Sequence, residues 1–288
     1  MRVLYGLNEV ATEFDGFILD LWGLIHDGVT AYPGVVDTLR ALRGAGLSTI
    51  LLSNAPRRSS FLVEGMTAMG ISRKLYGDIF SSGEATWREL SSRSDPFFSK
   101  LGIKAFHIGP DRDISILEDT GIERVSTVEE AEFILNTGPT EFSHAIDMYD
   151  AVLQQSLQRN LPMVCANPDD IVVREGRRVI CAGAIARRYE AIGGYVVYRG
   201  KPDPAVYHLA AERLGISDLS RIAVIGDSLE TDVAGGNAAS IKTIWCTGGI
   251  HAEALEVSYG QPAETAAATL LAKAHGCNPW AIIPGFSW

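Results

Sequence analysis

Six polar residues stand at or just beyond the ends of short apolar runs, and their types suit one kind of chemistry. Asp20 closes the run in "FILDLWG", Ser53 and Asn54 close "LSTILLSNA", Lys201 follows "YVVYRG", and Asp227 and Asp232 lie in "GDSLETD" after "RIAVI". Brought together, they make three carboxylates, one ammonium and a hydroxyl, with the Asn54 amide beside them. Three close carboxylates repel one another unless a cation sits among them, and an all-oxygen set favours a hard ion of octahedral preference, Mg2+ above all. The ammonium and the hydroxyl complement an anion. A phosphoryl group held by metal, ammonium and hydrogen-bond donors, with one carboxylate left to attack it, accounts for the whole set. Singly, each residue has a plainer reading. Ser53 and Asn54 are ready helix caps, Lys201 beside Pro202 and Pro204 is compatible with a solvated loop, and Asp227 and Asp232 suit a turn and the first turn of a helix.

For these residues to meet, the apolar runs must be neighbouring strands. They are continuously apolar and not alternating, as expected of parallel strands covered by helices on both faces. "PGVVDTLRALRGAGLS" has helical spacing and ends at Gly46, which predicts a strand, helix, strand unit from Phe17 to Asn54. A second such unit is predicted from Tyr195 through "PAVYHLAAERLG" to Gly226. In an open parallel sheet, ligands bind outside the carboxyl ends of the strands, where the six polar residues fall. The intervening region has its own alternation: a helix from about Gly83, strands at "KAFHIG" and "AEFILNT", a helix at "AIDMYDAVLQQSLQ", a strand at "MVCAN", and a hairpin "IVVREGRRVI" turning at Glu175 and Gly176. The pattern predicts an α/β fold, a doubly wound, Rossmann-like parallel sheet core (1–79 and 188–288) with an α/β cap domain (80–187) inserted.

The bulk properties agree. A chain of 288 residues, 47% hydrophobic and 21% charged, has the composition of a folded globular protein with room for a core and an insertion. Its formal charge of -10 speaks against nucleic acid or an anionic membrane as partner. The short basic clusters at Arg57–Arg58, Arg174–Arg178 and Arg187–Arg188 read as solvated faces or as contacts for a small anion. No basic segment followed by an apolar one opens the sequence, and no apolar run reaches the roughly 18 residues that a bilayer span requires. Cys165, Cys181, Cys246 and Cys277 fit neither a zinc spacing nor a disulfide framework. Buried thiols in a cytoplasmic protein are therefore expected.

The four segments, in this order and at these strand ends, resemble the four motifs of the haloacid dehalogenase-like hydrolase superfamily. "CANPDD", "CAGAIARRYEAIGG" and "GKPDPAVY" are similar to its class IIA branch, which has an α/β cap between the second and third motifs and includes sugar-phosphate and nucleotide phosphatases. The resemblance covers nearly the whole chain. It implies a Mg2+-dependent phosphohydrolase acting on a small phosphorylated metabolite through an aspartyl-phosphate on Asp20. By the same resemblance, Asp20, the Trp22 carbonyl and Asp227 hold Mg2+, Asp232 orients the metal's water or Lys201, and Ser53 and Lys201 hold the transferring oxygens. Asn54, Trp22 and His26 form the substrate-binding set, the cap closes over the site, and a homo-oligomer through the cap is in keeping with this branch.

One position departs from the pattern. Phosphatases of the superfamily usually have a second aspartate two residues after the nucleophile, as general acid and then base, and here Trp22 takes that place. An indole cannot exchange a proton at neutral pH in this way. General acid-base catalysis is worth about 100-fold to 10,000-fold, so poor alkoxide leaving groups suffer most. His26, on the loop leaving the first strand, is the candidate replacement, although a plain loop histidine is the simpler reading. In the insertion, Asp169, Arg187 and Arg188 are candidates to reach a substrate. Two other readings remain: a metal- and phosphate-binding sensor with little turnover, which Trp22 favours, and a dehalogenase, whose relatives carry an aromatic residue here but have a helical cap and lack the full acidic fourth motif.

Overall fold

The computed structural model describes residues 1–288. Four strands come first: β1 (Arg2–Val3), β2 (Gly16–Leu19), β3 (Ser48–Ser53) and β4 (Asp78–Ser81). Seven follow in the middle of the chain: β5 (Lys104–Ile108), β6 (Glu123–Val125), β7 (Phe133–Asn136), β8 (Met163–Cys165), β9 (Ile171–Arg174), β10 (Arg177–Ile180) and β11 (Val196–Tyr198). The last three are β12 (Ile222–Gly226), β13 (Lys242–Cys246) and β14 (Ala281–Ile283). The helices are α1 (Val35–Gly44), α2 (Ser59–Ala68), α3 (Ser82–Ser92), α4 (Asp150–Gln158), α5 (Ala182–Ala191), α6 (Pro204–Leu214), α7 (Ala234–Ala238) and α8 (Thr265–Ala274). None is long and apolar enough to cross a membrane.

Two parallel sheets result. The larger has seven strands in the order β1-β14-β13-β12-β2-β3-β4, and the smaller has five in the order β11-β8-β7-β5-β6. Strand β2 shows why such strands read as continuous apolar runs. Phe17 and Leu19 join Val35, Leu39 and Leu42 of α1 in one cluster. Ile18 points the other way and joins Tyr207, Ala210 and Ala211 of α6. Alternate side chains thus meet helices on opposite faces, so every position is apolar. The inserted sheet is covered likewise: Ile134, Met163 and Cys165 pack with Leu153 of α4 and Ile185 of α5, whereas Phe133, Leu135 and Val164 pack with Leu90 of α3.

The helix ends follow local chemistry. Asp203 caps α6 by accepting from the Ala205 N–H at 2.9 Å, Pro204 opens the first turn, and Gly215 ends the helix in the left-handed region. The hairpin β9–β10 turns at Glu175 and Gly176, both at positive φ, as a tight two-residue turn requires.

The strand before Lys201 differs from expectation. Val196–Tyr198 does not open a second unit of the core: β11 pairs with β8 of the smaller sheet. Its residues are half-buried: Val196 and Tyr198 pack with α5, and Val197 packs on the other face in the cluster that includes Leu90 of α3. A short apolar parallel strand carries no local mark of which sheet it will join. Lys201 therefore enters the core from the exit of the cap, and not from a core strand.

Candidate active site

Strand β2 lies between β12 and β3, so the residues leaving their carboxyl ends stand side by side. They are Asp20, Asp227 and Ser53, at the point where chain connections diverge to the two sides of the sheet. The Asp20 N–H donates to Ile225 O at 2.9 Å, which extends the pairing one residue beyond β2 and fixes the acid. Lys201 Nζ donates to Asp20 Oδ1 at 2.6 Å and to Asp232 Oδ1 at 2.7 Å. Asp232 sits in a π-helical turn (Leu229–Val233) and accepts from the Ser228 N–H at 3.2 Å. Such turns often mark functional sites. Asn54 grips the main chain of Lys201 from both sides: its Oδ1 accepts from Lys201 N at 2.8 Å, and its Nδ2 donates to Lys201 O at 3.0 Å.

Asp20, Asp227 and Asp232 are buried, with ligand oxygens all within 4.8 Å of one another. Burial, reinforced by Asp232, pushes Asp20 up to about 7 against the pull of Lys201. Asp227 is raised well above the usual carboxylate range by burial, then by Asp20 and Asp232. Burial works against the charge of Lys201, but Asp20 and Asp232 more than offset it and hold the amine protonated. With one ammonium for three carboxylates, the full set ionises only with further positive charge. An all-oxygen cluster of this kind fits a hard divalent cation.

The loop after β2 is shaped by its glycines. Gly23 has φ of 75°, and a Cβ there would lie 1.7 Å from Asp227 Oδ2. Gly28 has φ of 88°, and a Cβ there would lie 2.0 Å from the Trp22 ring. The loop thus passes close over the acids and leaves a seat for the indole. Trp22 is half-buried and packs edge-on to His26, with ring centroids 5.4 Å apart. His26 is not brought to the cavity. It is 5% exposed, its Nδ1 accepts from the Gly28 N–H at 3.0 Å, and burial lowers it to about 4. A neutral, enclosed imidazole holds the loop and has no proton to give at neutral pH.

A cavity of about 680 Å3 opens above the acids, with Trp22, Ser53, Asn54 and Lys201 in its wall. Core and cap both line it. From the cap come Asp169, Arg178 and Arg187, and from the core the stacked Tyr32 and Tyr259, 3.9 Å apart and nearly parallel. Asp169 Oδ1 accepts from Asn54 Nδ2 at 2.7 Å. Arg187 pairs with Asp170 at 2.6 Å, and Arg188 faces away in a two-pronged pair with Asp150 at 2.9 and 2.8 Å. Of the two arginines, only Arg187 reaches the cavity wall.

A family model for haloacid dehalogenase-like hydrolases matches residues 17–123, and a HAD-hydrolase-like model matches residues 198–273. The crystal structure of a haloacid dehalogenase-like hydrolase from Brucella suis 1330 matches with a TM-score of 0.82 and 30% identity over 98% of each chain. The chain belongs to the haloacid dehalogenase-like hydrolases. Chronophin from Bos taurus is 26% identical over 263 residues, 85% of this hydrolase and 84% of chronophin. A glycerol phosphate phosphatase from Mycobacterium tuberculosis, solved in complex with magnesium, matches with a TM-score of 0.64 and 22% identity over 84% of this chain and 70% of its own. The α/β cap between the second and third motifs is that of the class IIA branch.

Two features of the hydrolase's site escape sequence reasoning. The Asn54 side chain, expected against substrate, is committed to Lys201 and Asp169. Asp169 lies 115 residues from Asn54 along the chain, and only the docking of cap on core makes them partners. The "NPDD" sequence was the one signal available.

Proposed function

We propose that this protein is a Mg2+-dependent phosphohydrolase for a small phosphorylated metabolite, working through an aspartyl-phosphate on Asp20. The observation that carries the reading is the meeting of three buried carboxylates and one buried ammonium at adjacent strand ends under an α/β cap. Asp20 attacks phosphorus, and Ser53 and Lys201 hold the transferring oxygens. Asp20, the Trp22 carbonyl, Asp227 and Asp232 would hold or orient Mg2+, which when bound offsets the charge of the acids and of the phosphoryl oxygens. Asn54 sets the height of Lys201 against the phosphate site. The cap runs from about Ser82 to about Arg199, since its sheet includes β11, and it excludes water from the cavity. Relatives named for phosphatase activity on glycerol phosphate support the substrate class.

The test is phosphate release from acyl, aryl, sugar and glycerol phosphates and nucleotides, with and without Mg2+. Release that needs both Mg2+ and Asp20, and is absent in Asp20→Asn, is the expected result. Trp22 favours one rival, a sensor that binds phosphate and metal without turnover. Mg2+-dependent thermal stabilisation by a phosphorylated compound, with no phosphate released from any, would make that reading the better one. The parallel-sheet cap and the presence of Asp232 argue against dehalogenation.

A further inference from the structure

The cavity lacks an acid where this reaction most needs one, and its acidic residues divide sharply by circumstance. Glu230 lies between His251 and His275, at 3.3 and 2.9 Å, and is drawn down to about 2 although burial opposes it. Asp27 accepts from the Val29 and Thr30 N–H groups at 2.9 and 2.7 Å and is lowered despite its partial burial. Asp170 is paired with Arg187, and Glu253, also in the cavity wall, stands 3.9 Å from Arg178. Glu230 and Asp27 therefore stay ionised at neutral pH.

Asp169 is different. It comes from the cap loop between β8 and β9 and lines the cavity that holds Asp20 and Lys201. One oxygen accepts from Asn54 at 2.7 Å, and the other accepts no hydrogen bond from the protein. Asn54 is clamped to the main chain of Lys201, so the carboxyl is tied to the framework that would hold the phosphate. The same carboxyl lines a smaller cavity of about 70 Å3, whose wall also includes Trp22 and Asn54. Burial raises it to about 6, against Lys201 and Asn54 and with help from Asp232 and Asp170. Arg187, Cys181, Cys165 and Tyr207 are its other ionisable neighbours.

We propose that Asp169, supplied by the cap, is the general acid and base that the residue at position 22 cannot be. The inference rests on the phosphohydrolase reading. As Asp20 attacks, the bond from phosphorus to the leaving oxygen breaks, its electron pair stays on that oxygen, and the Asp169 carboxyl protonates it. The Asp169 carboxylate then takes a proton from the water that attacks phosphorus, the bond to Asp20 breaks, and inorganic phosphate leaves. Chemistry then requires cap on core, because the proton donor is absent from the core.

The test compares 4-nitrophenyl phosphate with a short alkyl phosphate in the wild type, Asp169→Asn and Asp169→Glu. Asparagine keeps the acceptor for Asn54 and removes only the proton. Asp169→Asn should lose about 100-fold or more on the alkyl phosphate. It should keep a burst of nitrophenolate, near one per enzyme, because that leaving group needs no proton, and then turn over slowly for want of a base. Asp169→Glu should recover part of the alkyl activity. In the wild type, alkyl turnover should fall as pH rises past the titration of Asp169 while the aryl burst does not, a comparison that holds even if neither variant folds. Equal losses on both substrates without a burst, or the same pH limb for both, would overturn the assignment and leave the phosphohydrolase reading intact. No release by the wild type from either substrate would overturn both.

Discussion

At the scale of single residues, two kinds of buried polar group lie in and beside the site. Asp20, Asp227, Asp232 and Lys201 are buried together and hold one another in place, so their charges are useful only as a set. His26 is buried alone and is neutral. Its depressed value of about 4 means that the unfolded chain, where an unperturbed His titrates near 6.5, takes up its proton first as pH falls. The stability it contributes is whole above about 6.5 and is lost as pH falls toward about 4, up to roughly 3 kcal/mol for a shift of this size. His26→Asn, which keeps an acceptor for Gly28, should therefore flatten the fall in melting temperature between about pH 6.5 and 4. An unchanged slope would place the acid sensitivity elsewhere, with His107, also lowered to about 4 by burial, as the next variant to make.

At the scale of elements, the sequence was readable wherever local chemistry decides the outcome. Strands β2, β3, β12 and β13 declare themselves as apolar runs buried on both faces, and the Glu175-Gly176 turn by its residue types. Choices of partner were not readable. Val196–Tyr198 has the same composition whether it pairs with β8 or with a core strand, and Asp169 is an ordinary loop acid until the cap docks against Asn54. His26 had the right chemistry for an acid, but its burial depends on the fold of the loop around it. That loop is also the element most exposed to small changes. Gly23→Ala adds a Cβ 1.7 Å from Asp227 Oδ2 at a φ that non-glycine residues avoid. The variant should lose about 1–3 kcal/mol in urea unfolding and bind Mg2+ at least tenfold more weakly by calorimetry. Mg2+ affinity equal to the wild type's would mean that Asp227 is not a ligand.

At the scale of the whole molecule, two sheets with separate apolar clusters meet through few polar contacts. Arg57 of the core pairs with buried Asp113 of the cap at 2.9 Å, Arg174 of the hairpin donates to Gly28 O at 3.3 Å, and Asn54 meets Asp169. Burial raises Asp113 to about 6 even beside Arg57 and Arg112. Arg57→Ala leaves that carboxylate buried with less compensation, so it should lower the melting temperature more at about pH 7.5, where Asp113 is charged, than at about pH 5, where it takes up a proton. A group whose folded value is raised loses its stabilising effect as pH rises, and removing Arg57 should steepen that loss. Equal effects at both pH values would mean that Asp113 does not drive the difference. The strand order has a further consequence during synthesis. Strand β2 waits for β12, about 200 residues later, whereas every strand of the smaller sheet lies between 104 and 198. On the ribosome the cap can close first, while the strand that leads to Asp20 keeps one edge open to strangers until residues 222–226 emerge.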